Sequence, residues 1–340
     1  MAVNPVLRRE LVERWRGRRA SVTLTAYLTV LGLLLYGLYQ LGRAGLAAQF
    51  GFGGIDSGAA GPVLGRFLLE GMLFFVLLLI LFVAPGYAAG QLSGERERRT
   101  LPLLQVTLLR PWQIVVGKLG ASLAWLTLLL VAALPLGATS FFLGGVTLGD
   151  LLRGTGMILG VAVGVTAMGI GISSLVKRTV AAVVLTYGMV LALVAGTGFA
   201  ALVEIATRRP STQLVTAPQT PIALYANPFL GLADAVRADS FSFAMGLPSP
   251  LGLFAEALPN TGWRAFRPLP LAGDVVLEGA PDAPPGRALI WLRVLGVHTA
   301  LGLAGLAVAT RRIRTGTRPP RRRGRVRPRG ADATAEAAAA

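Results

Sequence analysis

Charged residues make up only 14% of this 340-residue chain. The few that lie inside or beside apolar stretches are therefore where any chemistry must reside. The densest internal set is Glu95-Arg96-Glu97-Arg98-Arg99, followed by Thr100. Mixed charge at this density suits reversible pairing with another surface, not bond-making. Arg66 and Glu70 stand i,i+4 and can pair along one helix face; alternatively Glu70 serves as a polar group in a substrate path. Arg293 and His298 lie in the last apolar run and are the other candidates for such a path. His298 is the one histidine, and a lone histidine in an apolar helix is more simply a packed, hydrogen-bonded side chain than a base. There is no H-E-x-x-H and no G-x-S-x-G, and the acidic residues are too scattered for a metal cage. The absence of cysteine excludes disulfides, thiolate catalysis and cysteine metal sites. Gly117-Lys118 ends like a phosphate-binding loop, but that motif needs Gly at Trp112 and Ser or Thr at Leu119. No catalytic, cofactor or metal residues are therefore expected in this chain.

The elements that position these groups are membrane spans. The chain is 54% hydrophobic with mean hydropathy +0.63, whereas a soluble domain would carry about 25% charged residues. Several apolar runs reach the ~20 residues that cross a bilayer core. The expected fold is an all-α membrane protein with six spans, at about 22–41, 64–92, 114–142, 151–175, 179–205 and 288–310. Residues 1–20 predict an amphipathic interfacial helix, capped by Asn4 with Pro5 in its first turn. Leu7, Leu11 and Trp15 form its apolar face, and its basic face suits anionic lipid. Residues 42–62 predict an outside loop, and Pro85-Gly86 a kink in the second span. Gly156, Gly160 and Gly164 form one smooth helix stripe, and Gly188, Ala192 and Gly196 a second. Either could pack within the chain or across a dimer. The stretch 207–287 holds 12 of the 21 prolines and predicts a Pro-rich outside loop with short helices. One of these starts at Asn227-Pro228, and a membrane-surface or re-entrant piece is expected around 241–258.

The connector 93–113 predicts a short coupling helix under the membrane. Thr100 would cap it, Pro102 would sit in its first turn, and Leu103, Leu104 and Leu108 would form its apolar stripe. Arg110-Pro111 would end it, with Trp112 at the interface. A rigid element of this kind, joined to two spans, is a lever that a soluble partner can grip.

Net charge is +17 and pI about 11.6, and ten of the 33 basic residues lie between Arg311 and Arg329. The N-terminus, the connector and the 176–179 turn are basic as well, while the intervening loops are basic-poor or long. The positive-inside rule then places both termini and the connector in the cytoplasm, so the charge reads as membrane orientation and not as specific nucleic-acid binding. Residues 311–340 predict a basic, disordered cytoplasmic tail.

Against this background the run APGYAAGQLSGERERRTLPLLQVTLLRPWQIVVGKL resembles the region joining the second and third spans of ABC-2 type transporter permeases. ISSLVKRTVAAVVLTYGMVLALVAG resembles that family's junction of the fourth and fifth spans. NPVLRRELVERWRGRR is similar to its N-terminal connecting helix, and NPFLGLADA to a segment ahead of its last span. One departure is visible: Leu108-Leu109-Arg110-Pro111 stands where many members have a Pro-Leu-Ser-like step. The resemblance implies a permease subunit of an ATP-binding cassette exporter in the bacterial inner membrane. It would pair with a second permease subunit and with separate ATPase subunits, which supply ATP and Mg. Glu95, Arg96, Glu97, Thr100, Leu101 and Leu104 would then belong to the ATPase-coupling region. Another class open to the same sequence is a membrane scaffold or sensor that docks an ATPase but moves no substrate.

Overall fold

The computed structural model describes residues 18–50, 60–100, 110–207, 221–236, 249–255 and 290–315. Among these residues every regular element is helical. The elements are α1 (Arg18–Phe50), α2 (Ala60–Glu97), α3 (Pro111–Ala138) with a 3-10 turn at Thr139–Phe142, and α4 (Leu148–Leu175). Then come α5 (Thr179–Leu191), a π turn (Ala192–Gly196), α6 (Thr197–Thr207), a 3-10 turn (Ile222–Ala226), α7 (Pro228–Ala235), α8 (Gly252–Ala255) and α9 (Ile290–Thr315). Among the described residues six stretches are long and apolar enough to cross a membrane, with α5, the π turn and α6 together making the fifth. The chain is a multi-pass membrane protein.

Several boundaries differ from the sequence expectation. α1 begins at Arg18 and runs to Phe50, so the first residues of the expected outside loop are helix. Leu46, in that extension, is buried against the second span with Leu64 and Phe67. α2 continues unbroken through Pro85 to Glu97. Tyr187 donates to the Phe82 carbonyl at 2.7 Å, beside the place where proline leaves the helix a donor short. Arg110 and Pro111 open α3, and the connector helix they were expected to end lies outside the described residues. Pro111 occupies the first turn, and the Arg110 amide donates to the Gln113 side chain at 2.9 Å. Residues 311–315, expected in the tail, are the last turns of α9, with Ile313 buried. The interfacial helix before Arg18 and the tail beyond Thr315 lie outside the described residues.

α2 and α4 form the centre. Of their most apolar stretches 67% and 72% is buried, against 17% for α1 and for the fifth span and 22% for α9. Val76, Leu77, Ile80 and Ala84 of α2 meet Ile158, Val161 and Val165 of α4 in one core. Against α4 lies α9, and glycine makes the approach close. A Cβ on Gly164 would fall 2.8 Å from the His298 carbonyl oxygen, and one on Gly171 would fall 2.6 Å from the Gly305 Cα. Gly160 faces Leu295 in the same seam. Part of the first predicted stripe is thus consumed within the chain. Gly156 and Gly188 face open space, and Gly196 meets only Ala192 of its own turn.

α7 is the short helix predicted at Asn227-Pro228, and it is core. Phe229, Leu230, Gly231, Leu232, Ala233 and Ala235 are all buried. Its ends are wired to the spans. Asn227 accepts from the Phe229 amide at 2.9 Å as an N-cap. Arg66 donates to the Val236 carbonyl at 2.9 Å. Asp234 in turn accepts from the Trp291 amide at 2.9 Å, in the first turn of α9.

Candidate functional site at the charged end of α2

Glu95, Arg96 and Glu97 form the last turn of α2. Successive residues on a helix point about 100° apart, and here each side chain reaches a different span. The Glu95 carboxylate pairs with Lys118 of α3 at 2.7 Å. Arg96 donates to the Val176 carbonyl, the C-cap of α4, at 3.5 Å, and feels the like charge of Arg312 on α9. Glu97 accepts from the Thr179 amide at 2.9 Å and from its hydroxyl at 2.7 Å. A carboxylate at that place satisfies the first free amide of α5 and complements the helix dipole.

The joints differ in burial. Lys118 is 2% exposed and Glu95 21%, so their pair is shielded from water. One turn further into the bundle Gln91 donates to Ser122 Oγ at 3.0 Å. Gln91 and Glu95 on α2, and Ser122 and Lys118 on α3, make two rungs at i,i+4 spacing. A third contact ties α2 to α4: the Ser93 amide donates to Ser173 Oγ at 3.0 Å, and Ser173 donates to the Ala89 carbonyl at 2.5 Å. Glu97, by contrast, is exposed.

Beyond Glu97 the chain turns sharply. The Arg99 amide donates to the Arg96 carbonyl at 3.1 Å, and the Thr100 amide to the Glu95 carbonyl at 2.9 Å. This pair of bonds is a Schellman termination, with Arg99 in the left-handed position at φ 57°, where glycine is usual. Thr100 closes α2; the expected coupling helix that would follow it, with Leu101 and Leu104, lies outside the described residues. A pull on residue 101 is therefore transmitted to a turn whose hydrogen bonds end on the Glu95 and Arg96 carbonyls.

The three candidate path residues have separate partners. Glu70 is fully buried and accepts from Arg66 at 3.1 Å and from Ser249 at 2.5 Å. This is the local pairing that its spacing allowed, extended by a residue from the Pro-rich region. Asp150, near the same end of the bundle, caps α4 with Thr147 and pairs with Arg153 at 2.6 Å. Arg293 is exposed on α9 and lies over the Tyr225 ring, 5.5 Å from its centre. His298 is buried, its Nδ1 2.9 Å from the Val294 carbonyl, with Nε2 unpartnered among the described residues. It faces the glycine seam of α4 and packs there.

Sequence reasoning set Lys118 aside once the phosphate-loop motif failed, and it named neither Thr179 nor Ser173. A readable signal for Lys118 existed in the matching i,i+4 polar spacings on adjacent spans. Nothing local marked Ser173. Among the described residues no cluster of three or more His, Cys, Asp or Glu could hold a metal. The chain matches no protein-family model and no curated protein.

Proposed function

We propose that this chain is the membrane-spanning permease subunit of an ATP-binding cassette exporter of the ABC-2 type. Two such subunits line the pathway, and separate ATPase subunits dock beneath residues 93–113 and supply the hydrolysis of ATP with Mg. In this reading both termini are cytoplasmic, as the basic-residue distribution argues. The support is the ordered set of resembling segments, carried on a bundle of six spans. The single observation that carries it is the end of α2, where three consecutive side chains grip α3, α4 and α5. A partner that moves the adjoining segment 101–109 moves a joint common to four spans, which a mechanical coupling requires. In the same reading Glu95, Arg96 and Glu97 transmit force within the chain, and contact with the ATPase falls to Thr100, Leu101, Leu104 and their neighbours.

The test is co-purification. The tagged full chain is extracted in mild detergent and probed for a P-loop ATPase, with wild-type protein and with Leu104→Asp. Recovery of an ATPase, reduced by the substitution, is the expected result. Stable chain with no ATPase in any condition overturns the assignment. An ATPase that comes down but is never stimulated by any cargo favours the non-transporting scaffold instead.

A further inference from the structure

The fifth span is the only one of the six that leaves α-helical geometry in its middle, at the π turn Ala192–Gly196. A π turn shifts the hydrogen-bond ladder by one residue and leaves a carbonyl to be satisfied otherwise. Side chains do so here. Asn227 donates to the Val194 carbonyl at 3.1 Å and to Thr197 Oγ1 at 3.0 Å, and Thr197 donates to the Leu193 carbonyl at 2.6 Å. Asn227 is 1% exposed and caps the buried helix α7, so the C-terminal side of the π turn is fastened to the core. Glu204 adds a second tie by accepting from the Ile222 amide at 3.0 Å.

The N-terminal side is held differently. α5 buries only Ala182, Thr186 and Val190, a single narrow strip of mostly small side chains. Its N-terminal end follows α4 through the three-residue turn 176–178, and the side-chain hold there is the exposed Glu97 carboxylate on Thr179, where water competes for both hydrogen bonds. Its other long-range bond, Tyr187 to the Phe82 carbonyl, is nearer the π turn and moves less for a given rotation.

We infer that α5 is a hinged arm: it swings on the π turn at Ala192–Gly196, is latched by Glu97 on Thr179, and leaves α6 fixed to Asn227. α2 and α3 stay together through the buried Glu95–Lys118 and Gln91–Ser122 rungs, so the opening joint is between α2 and α5. The inference depends only on how this chain is built and goes beyond the transport reading. A rotation of about 20° at residue 192 carries position 184, about 12 Å along the helix, by about 4 Å.

The chain has no cysteine, so spin labels can be placed freely. Val116 on α3, Val184 on α5 and Phe199 on α6 are 46%, 64% and 70% exposed. Distances are measured by pulsed electron resonance for the pairs 116–184 and 116–199, on the full chain in lipid nanodiscs. Glu97→Ala removes the latch, and Thr179→Val removes the hydroxyl bond alone. The expected result is a shift of about 4 Å and a broader distribution for 116–184 in Glu97→Ala, a smaller change in Thr179→Val, and no change in 116–199. If Glu97→Ala does not yield folded protein, Thr179→Val decides. An unmoved 116–184 distance overturns the hinge, and so does an equal shift in 116–199, which would make the span one rigid rod. No ATPase or cargo is involved, so the result is independent of the proposed function.

Discussion

Glu95 and Lys118 meet at 2.7 Å on neighbouring spans, one turn from Gln91 and Ser122 at 3.0 Å. The two rungs make α2 and α3 a unit at this end. The outer rung is ionic and shielded, so its loss is costly in a way that a surface pair is not.

Lys118→Ala should destabilise the chain by about 3–5 kcal/mol, because it strands a largely buried carboxylate. The exchanged pair, Glu95→Lys with Lys118→Glu, should recover most of that loss. Thermal denaturation followed by size-exclusion chromatography measures both. If the exchanged variant were no better than either single change, the two residues would not be coupled.

Glycines that look alike in sequence should respond oppositely. Gly164→Ala places a methyl 2.8 Å from the His298 carbonyl oxygen and 2.9 Å from its Cβ, and this overpacking should cost about 1–3 kcal/mol. Gly188→Ala meets nothing within 4 Å and should gain up to about 1 kcal/mol from helix propensity. The same melting assay, run on the two variants side by side, separates a packed stripe from an unfilled one.

Asn227 has two jobs that one substitution can separate. Asn227→Asp keeps the oxygen that caps α7 but loses the amide hydrogens given to Val194 and Thr197. It should cost about 1–3 kcal/mol through unsatisfied buried groups. Hydrogen exchange should then rise around 192–197, while 228–235 keeps its protection. Equal loss in both segments would mean that the cap, and not the π turn, depends on the amide.

Arg99→Gly should stabilise the end of α2 by about 1 kcal/mol, because φ 57° is unfavourable for any residue with a Cβ. If the melting temperature fell instead, the Arg99 side chain would be making a contact worth more than the backbone strain.

The membrane class and the number of spans were legible because hydrophobic run length is a local property that no packing arrangement can overrule. Pro228 after Asn227 announced α7 for the same reason, since capping and first-turn preferences act over a few residues. Pro85 stands inside a continuous α2, and what a neighbouring helix offers the backbone beside it could not be read locally, because Tyr187 comes from a span a hundred residues away. The charged run 95–97 was visible as a site, but its composition could not say whether it faced a partner or its own spans. Only the arrangement of α3, α4 and α5 around the end of α2 decided that. Likewise, Gly164 and Gly188 carry equal signals in a one-dimensional pattern. Which of them meets another backbone was decided by where α9 returns to the bundle, a contact between segments more than a hundred residues apart.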